Sequence, residues 1–268
     1  MDINFYKIHV LKNDFILSDS RKTNLINNSL LSKTAVSICD RHTGVGAKGI
    51  IYIISADLDE IVIKTYSPDG RLYSSVLDST LIATRYIFDT ISINTKIIKI
   101  VNNDIPLSVQ IIDSTSFRIS VGAPSFNTNL TENLVIGNYT YTYTKIDLGR
   151  NSLVFFPENK SNRELKELSS NIIKSSAYSD SLPVFVFPAA RNSINVRHWL
   201  QTKRLDNLLV CSIASVAASL NGYDNENLVM LQNNAAYVEW DRENNQVYVT
   251  SSPEYIFTGS YYFEENRD

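Results

Sequence analysis

The sequence has few cysteines, no long apolar run and little net charge. Its 268 residues include two cysteines, Cys39 and Cys211, too few for a disulfide framework and typical of a cytoplasmic protein. The Met1-Asp-Ile-Asn start lacks the basic and apolar regions of a signal peptide, and no apolar run reaches transmembrane length. A net charge of −3 gives no general attraction to nucleic acid or to an anionic membrane. A cytoplasmic protein without nucleic-acid or membrane partners is therefore expected.

The composition is that of a globular protein with a substantial core. Hydrophobic residues make up 44% and charged residues 20% of a chain that is long enough for one large or two ordinary domains. β-Branched runs predict strands in both halves, and helical spacing of apolar residues predicts helices at Thr80–Phe88, Asn162–Lys174 and Leu208–Leu220. Gly122 and Pro124 break the strand pattern between the halves. The prediction is an α+β protein with two similar halves.

Several motifs carry a resemblance to one family. The opening Lys7–Phe15 segment and the Arg41-His42-Thr43-Gly44-Val45-Gly46 loop are the most specific. Weaker matches are the turn Ser67–Gly70, the crossing segment Val121–Phe126 and the helix start Val210–Ala217. Together they cover nearly the whole chain, and on these residues it resembles the diaminopimelate epimerase family.

The resemblance implies a fold and a chemistry. The implied fold has two pseudo-symmetric α+β domains, each a sheet or barrel around a central helix, with a cleft between them. Residues 1–122 would form the first domain, joined by a C-terminal strand at about 255–268, and residues 123–254 the second. The family is understood to racemise an amino-acid α-carbon with two cysteines and no cofactor, so a small anionic ligand, no metal and a homodimer are expected.

This sequence departs from the family where the chemistry is done. The first catalytic cysteine aligns with Val76, which cannot transfer a proton, and the second falls at about Asp206. Ser79 and neighbouring leucines stand where glycines let backbone N–H groups approach the ligand. Cysteine-based racemisation is therefore not expected. The positions that correspond to, or adjoin, the family's substrate-binding residues are Asn13, Ser67, Ser79, Arg150, Arg197, His198 and Asn207.

Asp78 and Asp206 are the candidate catalytic residues. Each stands at the start of a long apolar helix, so each has a structural interpretation as an N-cap that contributes about 1 kcal/mol. In the functional interpretation, one carboxylate replaces the thiols as a single acid/base. The related phenazine-biosynthesis isomerases are understood to work with one glutamate. An aspartate needs burial or a nearby like charge to raise its pKa for this work.

Basic residues replace neutral or acidic family residues at Lys48, Arg150, Arg197 and Lys203. If they converge, they would favour a di- or trianionic ligand, and otherwise they are surface charges. Three hypotheses follow: a diverged isomerase that acts on a small anionic carboxylate, a catalytically inactive homologue that binds a ligand or partner, and an ordinary diaminopimelate epimerase.

Overall fold

The computed structural model describes residues 1–22, 27–57, 60–91, 95–199 and 205–264. The chain forms two compact units: the first comprises Met1–Ile119, Lys203–Asp206 and Ser251–Asp268, and the second comprises Ser120–Thr202 and Asn207–Thr250. The short segment that contains Asp206, which the sequence placed within residues 123–254, therefore belongs to the first unit.

The first unit begins with an antiparallel pair of strands and continues through two helices. Its elements are β1 (Asp2–Val10), β2 (Asn13–Asp19), a 3-10 turn (Ser20–Lys22), α1 (Asn28–Ile38), β3 (Gly49–Ala56), β4 (Ile61–Tyr66), α2 (Leu77–Thr90), β5 (Ile97–Asn102), β6 (Ile105–Ile111) and the first half of β7 (Phe117–Gly122), whose second half belongs to the second unit. A C-terminal strand, which is β17 (Glu254–Tyr262) in chain order, pairs antiparallel with β1.

The second unit has the remaining elements. They are β8 (Ser125–Phe126), β9 (Glu132–Ile136), β10 (Tyr139–Asp147), β11 (Asn151–Phe155), α3 (Asn162–Lys174), β12 (Leu182–Ala190), β13 (Ser193–Arg197), α4 (Asn207–Leu220), β14 (Glu226–Leu231), β15 (Asn234–Asp241) and β16 (Gln246–Ser251).

Both units follow the same order of strand pairings. In the first, the series β1 to β7 pairs antiparallel, parallel, antiparallel, parallel, antiparallel and antiparallel. In the second, the series β10 to β16 pairs in that same sequence. The helices also fall at corresponding places, after the second and fourth strands of each series. The predicted α+β fold of two similar halves is confirmed.

One buried helix in each unit accounts for much of the core. Every residue of α2 from Leu77 to Thr84 is buried, and so is every residue of α4 from Asn207 to Ser219. Helices that are apolar around most of their circumference are stable only inside a core. By contrast, α1 and α3 bury only one side. Among the described residues, no helix is long and apolar enough to cross a membrane.

Candidate active site

Two fully buried carboxyl groups lie at the start of α2. Asp78 is in the first turn of the helix, and both Asp78 and Asp206 are 0% exposed. Val76 occupies the N-cap position and makes no side-chain capping bond. The prediction that Asp78 is the N-cap of α2 is therefore wrong, because the helix already begins at Leu77, two residues earlier than a cap at Asp78 requires.

Asp206 caps α2 from a distant part of the chain. Its Oδ2 accepts the backbone N–H of Leu77 at 2.7 Å, across 129 residues of sequence, and the hydroxyl of Ser75 at 2.8 Å. The sequence-based interpretation had Asp206 capping α4, the helix that it directly precedes, and that stays a prediction; these two bonds are to the start of α2. Its Oδ1 is buried and has no hydrogen-bond partner among the described residues.

Asn13 and Lys48 complete the group, which we call the Asp78–Asp206 cluster. The Nδ2 of Asn13 donates to Oδ2 of Asp78 and, at 3.1 Å, to the carbonyl of Leu205. The Nζ of Lys48 donates to Oδ1 of Asn13 at 2.8 Å and to the same Leu205 carbonyl. The residue before Asp206 is thus fixed by two side chains of the first unit, and this fixes Asp206 at the start of α2.

The surroundings of Asp206 favour its protonated form. Burial and the nearby charge of Asp78 raise the pKa of Asp206 to about 8, against the opposing effects of the Ser75 and Leu77 hydrogen bonds and the Lys48 charge. Burial also lowers the pKa of Lys48, against the charges of Asp78, Asp206 and Asp14. The cluster therefore holds an acid that exchanges its proton near neutral pH, as general acid/base catalysis requires.

A cavity of about 510 Å³ in the first unit adjoins the cluster. Asn13 and Lys48 belong to both the cluster and the cavity wall. Asp14, also in the wall, binds Nη2 of Arg41 at 2.6 Å and Nζ of Lys7 at 2.8 Å. The lining residues are Lys12, Asn13, Asp14, Val36, Cys39, Asp40, Arg41, His42, Ala47, Lys48 and Pro68.

Ser67 and Ser79 are buried and bonded within the first unit. The Ser67 hydroxyl shares its single hydrogen between Oδ1 of Asp69 and, at 3.0 Å, the carbonyl of Arg71, which closes a turn. The Ser79 hydroxyl donates to the carbonyl of Val76 at 3.2 Å and accepts a hydrogen bond from Asn102. Both hydroxyls thus stabilise local structure, and their substrate-binding role stays a prediction.

The other candidates belong to the second unit. Arg197 donates to Oδ1 of Asn162 at 2.6 Å and its guanidinium lies 4.7 Å from the centre of the Phe187 ring. His198 lies 3.3 Å, Nε2 to Oδ1, from Asn207. Arg197 and His198 line a second cavity of about 330 Å³. This places three of the candidates in one neighbourhood.

Arg150 is a half-buried residue of the second unit, and Lys203 lies outside the described residues. Burial lowers the pKa of Arg150, whereas the charge of Asp180 opposes that change. Of the four basic residues that the sequence analysis grouped together, Lys48 belongs to the Asp78–Asp206 cluster, whereas Arg150 and Arg197 belong to the second unit.

Neither cysteine resembles a reactive thiol. Cys39 and Cys211 are buried, and neither is part of a disulfide. Burial raises the pKa of Cys39 to about 12, far above the range in which a thiolate forms at neutral pH. Cys211 is 0% exposed inside α4, which agrees with the predicted packed core thiol. In the described part of the chain, no three or more side chains of the metal-binding types are grouped as a metal site would require.

Comparison with known proteins supports the resemblance along the whole chain. No protein-family model matches the sequence. The chain is 25% identical to the diaminopimelate epimerase of Desulforapulum autotrophicum, and the alignment covers 97% of this chain and 99% of that protein. The predicted resemblance to the diaminopimelate epimerase family is confirmed.

Solved structures with low sequence identity share the fold. A phenazine biosynthesis protein of the PhzF family from Enterococcus faecalis matches with a TM-score of 0.68 at 10% identity, over 98% of this chain and all of that chain. A hydroxyproline epimerase from Agrobacterium vitis, solved with bound trans-4-hydroxy-L-proline, matches with a TM-score of 0.64 at 9% identity, over 97% and 92%. A methylitaconate-delta-isomerase matches with a TM-score of 0.62 at 10% identity, over 97% and 95%. The predicted diaminopimelate-epimerase-like fold is confirmed, and the similar proteins include epimerases and isomerases.

Proposed function

We propose that this protein is an isomerase that moves a proton on a small carboxylate or amino-acid-like substrate, with Asp206 as its acid/base and without a catalytic thiol. The observation that carries the proposal is the carboxyl group of Asp206. It is wholly buried, lies beside a second buried carboxyl group, and has one oxygen that no described residue binds. Its raised pKa gives it both protonation states near neutral pH.

The proposed reaction is a proton shift without a cofactor. The ionised Asp206 takes a proton from a carbon next to a carbonyl or carboxyl group, and the electrons of the broken C–H bond enter the substrate's π system. The resulting carboxylic acid then returns the proton to the same or a conjugated carbon. A single group acts from one side, so a double-bond shift or tautomerisation is expected rather than inversion of a stereocentre.

The similar proteins make this class of reaction reasonable. Epimerases that invert a carbon centre and an isomerase named for methylitaconate both match this chain over nearly its full length. Removal of a proton from carbon is one way to begin either reaction. The shared requirement is a base in a site that stabilises negative charge, which the N-terminal end of α2 can supply.

A second candidate function is a non-catalytic binding protein. It is favoured by the complete burial of both carboxyl groups and by the role of Asp206 as a cap for α2. A carboxyl group in such a place stabilises the fold whether or not it takes part in chemistry.

Hydrogen exchange in heavy water separates the two candidates. A panel of small mono-, di- and tricarboxylates and amino acids is incubated with the protein in D2O and followed by NMR. The isomerase proposal predicts deuterium at a carbon of at least one compound, and no exchange above the blank with Asp206→Asn. Asp113→Asn is the matched control, since Asp113 is exposed on a turn of the same unit. An absence of exchange across the panel, or exchange that survives Asp206→Asn, contradicts the proposal.

A further inference from the structure

Lys48 connects the Asp78–Asp206 cluster with the 510 Å³ cavity. Its side chain is part of the cavity wall, whereas Asp78 and Asp206 are not. Its Nζ donates to two neutral oxygens, Oδ1 of Asn13 and the carbonyl of Leu205. A lysine ammonium carries three hydrogens. Among the described residues, the third hydrogen has no acceptor, which leaves it for a ligand in the cavity that Lys48 lines.

The charges around the cavity favour an anion. The cationic side chains of Lys12, Arg41 and Lys48 line it. The two acidic side chains of the wall are already occupied: Asp14 bridges Arg41 and the buried Lys7.

The second acid, Asp40, is engaged within its own loop. Its Oδ1 accepts the backbone N–H groups of His42 and Thr43 at 2.8 and 2.7 Å and the hydroxyl of Thr43 at 3.0 Å. The wall thus carries three cationic residues and two acidic ones, and its acids already have partners within the protein, which favours a carboxylate as the ligand.

We propose that the cavity binds a small carboxylate and that Lys48 recognises it with the ammonium hydrogen for which the described residues supply no acceptor. The inference rests on the proposed function, for which it assigns a ligand class and a recognising residue. The cavity volume of about 510 Å³ lies within the range of about 300–1,000 Å³ typical of small-molecule sites. Asn13, which binds both Lys48 and Asp78, links such a ligand to the buried carboxyl pair through two hydrogen bonds.

The bound carboxylate changes the electrostatics of the cluster. A negative charge at the cavity side of Lys48 favours the ammonium form, which burial alone disfavours. The other charged or titratable groups facing Lys48 or the cavity are Asp78, Asp206, Asp14, Asp40, Lys12, Arg41, His42 and Cys39.

Calorimetric titration with succinate, glutamate and acetate tests the site, with succinamide as the uncharged analogue of succinate. At least one carboxylate is expected to bind, and succinamide is not. Lys48→Gln should weaken that binding at least about tenfold, which corresponds to about 1.4 kcal/mol. Lys174→Gln, at an exposed lysine that ends α3, is the matched control and should bind as the wild type does. Equal binding of succinamide, no binding of any probe, or unchanged affinity in a folded Lys48→Gln protein overturns the inference.

A measurement on the unaltered protein covers the case in which Lys48→Gln does not fold. Trace acetylation with acetic anhydride, read by mass spectrometry, reports the accessibility of each amine with and without the bound probe. The probe should slow the acetylation of Lys48 and leave that of Lys174 unchanged. Equal acetylation of Lys48 in both samples overturns the inference. Neither experiment measures turnover, so a protein that binds carboxylates through Lys48 but exchanges no hydrogen refutes the proposed function and keeps this site.

Discussion

At the scale of single residues, Asp206 differs from an exposed aspartate in the protonation state that folding favours. An aspartate in an unfolded chain has a pKa of about 3.9. In the folded protein burial and the charge of Asp78 raise the pKa of Asp206 to about 8. Between these values the folded protein retains a proton that the unfolded chain has released. The stabilisation from this group is therefore fully present below about pH 4 and is lost as the pH rises towards 8.

This linkage predicts a pH-dependent difference between the wild type and Asp206→Asn. The asparagine does not titrate, so the wild type should lose stability relative to the variant between pH 5 and pH 8.5, by at least about 1 kcal/mol. Urea denaturation of both proteins at the two pH values measures the difference in the free energy of unfolding. A difference that does not change with pH would show that Asp206 titrates as an ordinary aspartate.

The two thiols should be inert in the native protein. Cys39 and Cys211 are buried, and the pKa of Cys39 is raised to about 12 by burial. Iodoacetamide at neutral pH should label neither within the time in which it labels both in urea. Cys211→Ala should lower the free energy of unfolding by about 1 kcal/mol, as a small core truncation does. Rapid native labelling of Cys211 would instead revive a catalytic thiol.

At the scale of elements, the helices begin in different ways. α3 has a local capping box, in which the hydroxyl of Ser161 accepts the N–H of Glu164 and the Glu164 carboxylate accepts the N–H of Ser161. α2 instead receives its cap from Asp206, on a segment far along the chain. The start of α2 therefore depends on tertiary structure.

The cap on α2 predicts different costs for two substitutions of one residue. Asp206→Asn keeps an oxygen that can accept the N–H of Leu77, whereas Asp206→Ala leaves that buried N–H without an acceptor. The alanine variant should be less stable than the asparagine variant by about 1–3 kcal/mol. Chemical denaturation measures both, with Ser161→Ala on α3 as a reference expected to cost about 1 kcal/mol. Equal stability of the two Asp206 variants would mean that the bond to Leu77 contributes nothing.

Helices with a clear local pattern could be predicted from the sequence. The bounds predicted for α3 agree with the structure, and α4 begins at Asn207, one residue before the predicted start. α2 begins at Leu77, ahead of the predicted Thr80, because a distant carboxylate stabilises its first turn. α1 was not predicted, since its buried side is short and interrupted by polar residues.

At the scale of the whole molecule, the sequence identified the two candidate aspartates but not the residues that surround them. Asp78 and Asp206 stood out because each lies near the start of an apolar helix. The two aspartates and Lys48 lie together at the start of α2. This arrangement depends on the segment that contains Asp206, which belongs to the first unit although it directly precedes α4 of the second. A contact between residues so far apart has no signal in local propensity or spacing. The family resemblance supplied the fold because it concerns the whole chain.

The whole-molecule account also predicts that the activity of diaminopimelate epimerase, which the chain resembles, is absent. The sequence analysis predicts that Val76 stands at the position of the first catalytic cysteine, and both cysteines of the chain are buried. Exchange of the α-hydrogens of LL- and meso-diaminopimelate in D2O should therefore stay at the blank rate. Clear incorporation of deuterium would show that the cysteine alignment, or the chemistry inferred from it, is wrong.

The central proposal is that a carboxyl group does the acid/base work, in place of thiols, on a diaminopimelate-epimerase-like fold. The most direct test compares the rate of solvent-deuterium exchange in three proteins: the wild type, a Cys39→Ala/Cys211→Ala double variant and Asp206→Asn. The substrate is the compound of the carboxylate panel that the wild type exchanges fastest. We predict that the double cysteine variant retains the wild-type rate to within about twofold, whereas Asp206→Asn falls at least about 10²-fold, as expected for loss of a general acid/base. Loss of exchange in the cysteine variant, with exchange preserved in a folded Asp206→Asn protein, would contradict the account.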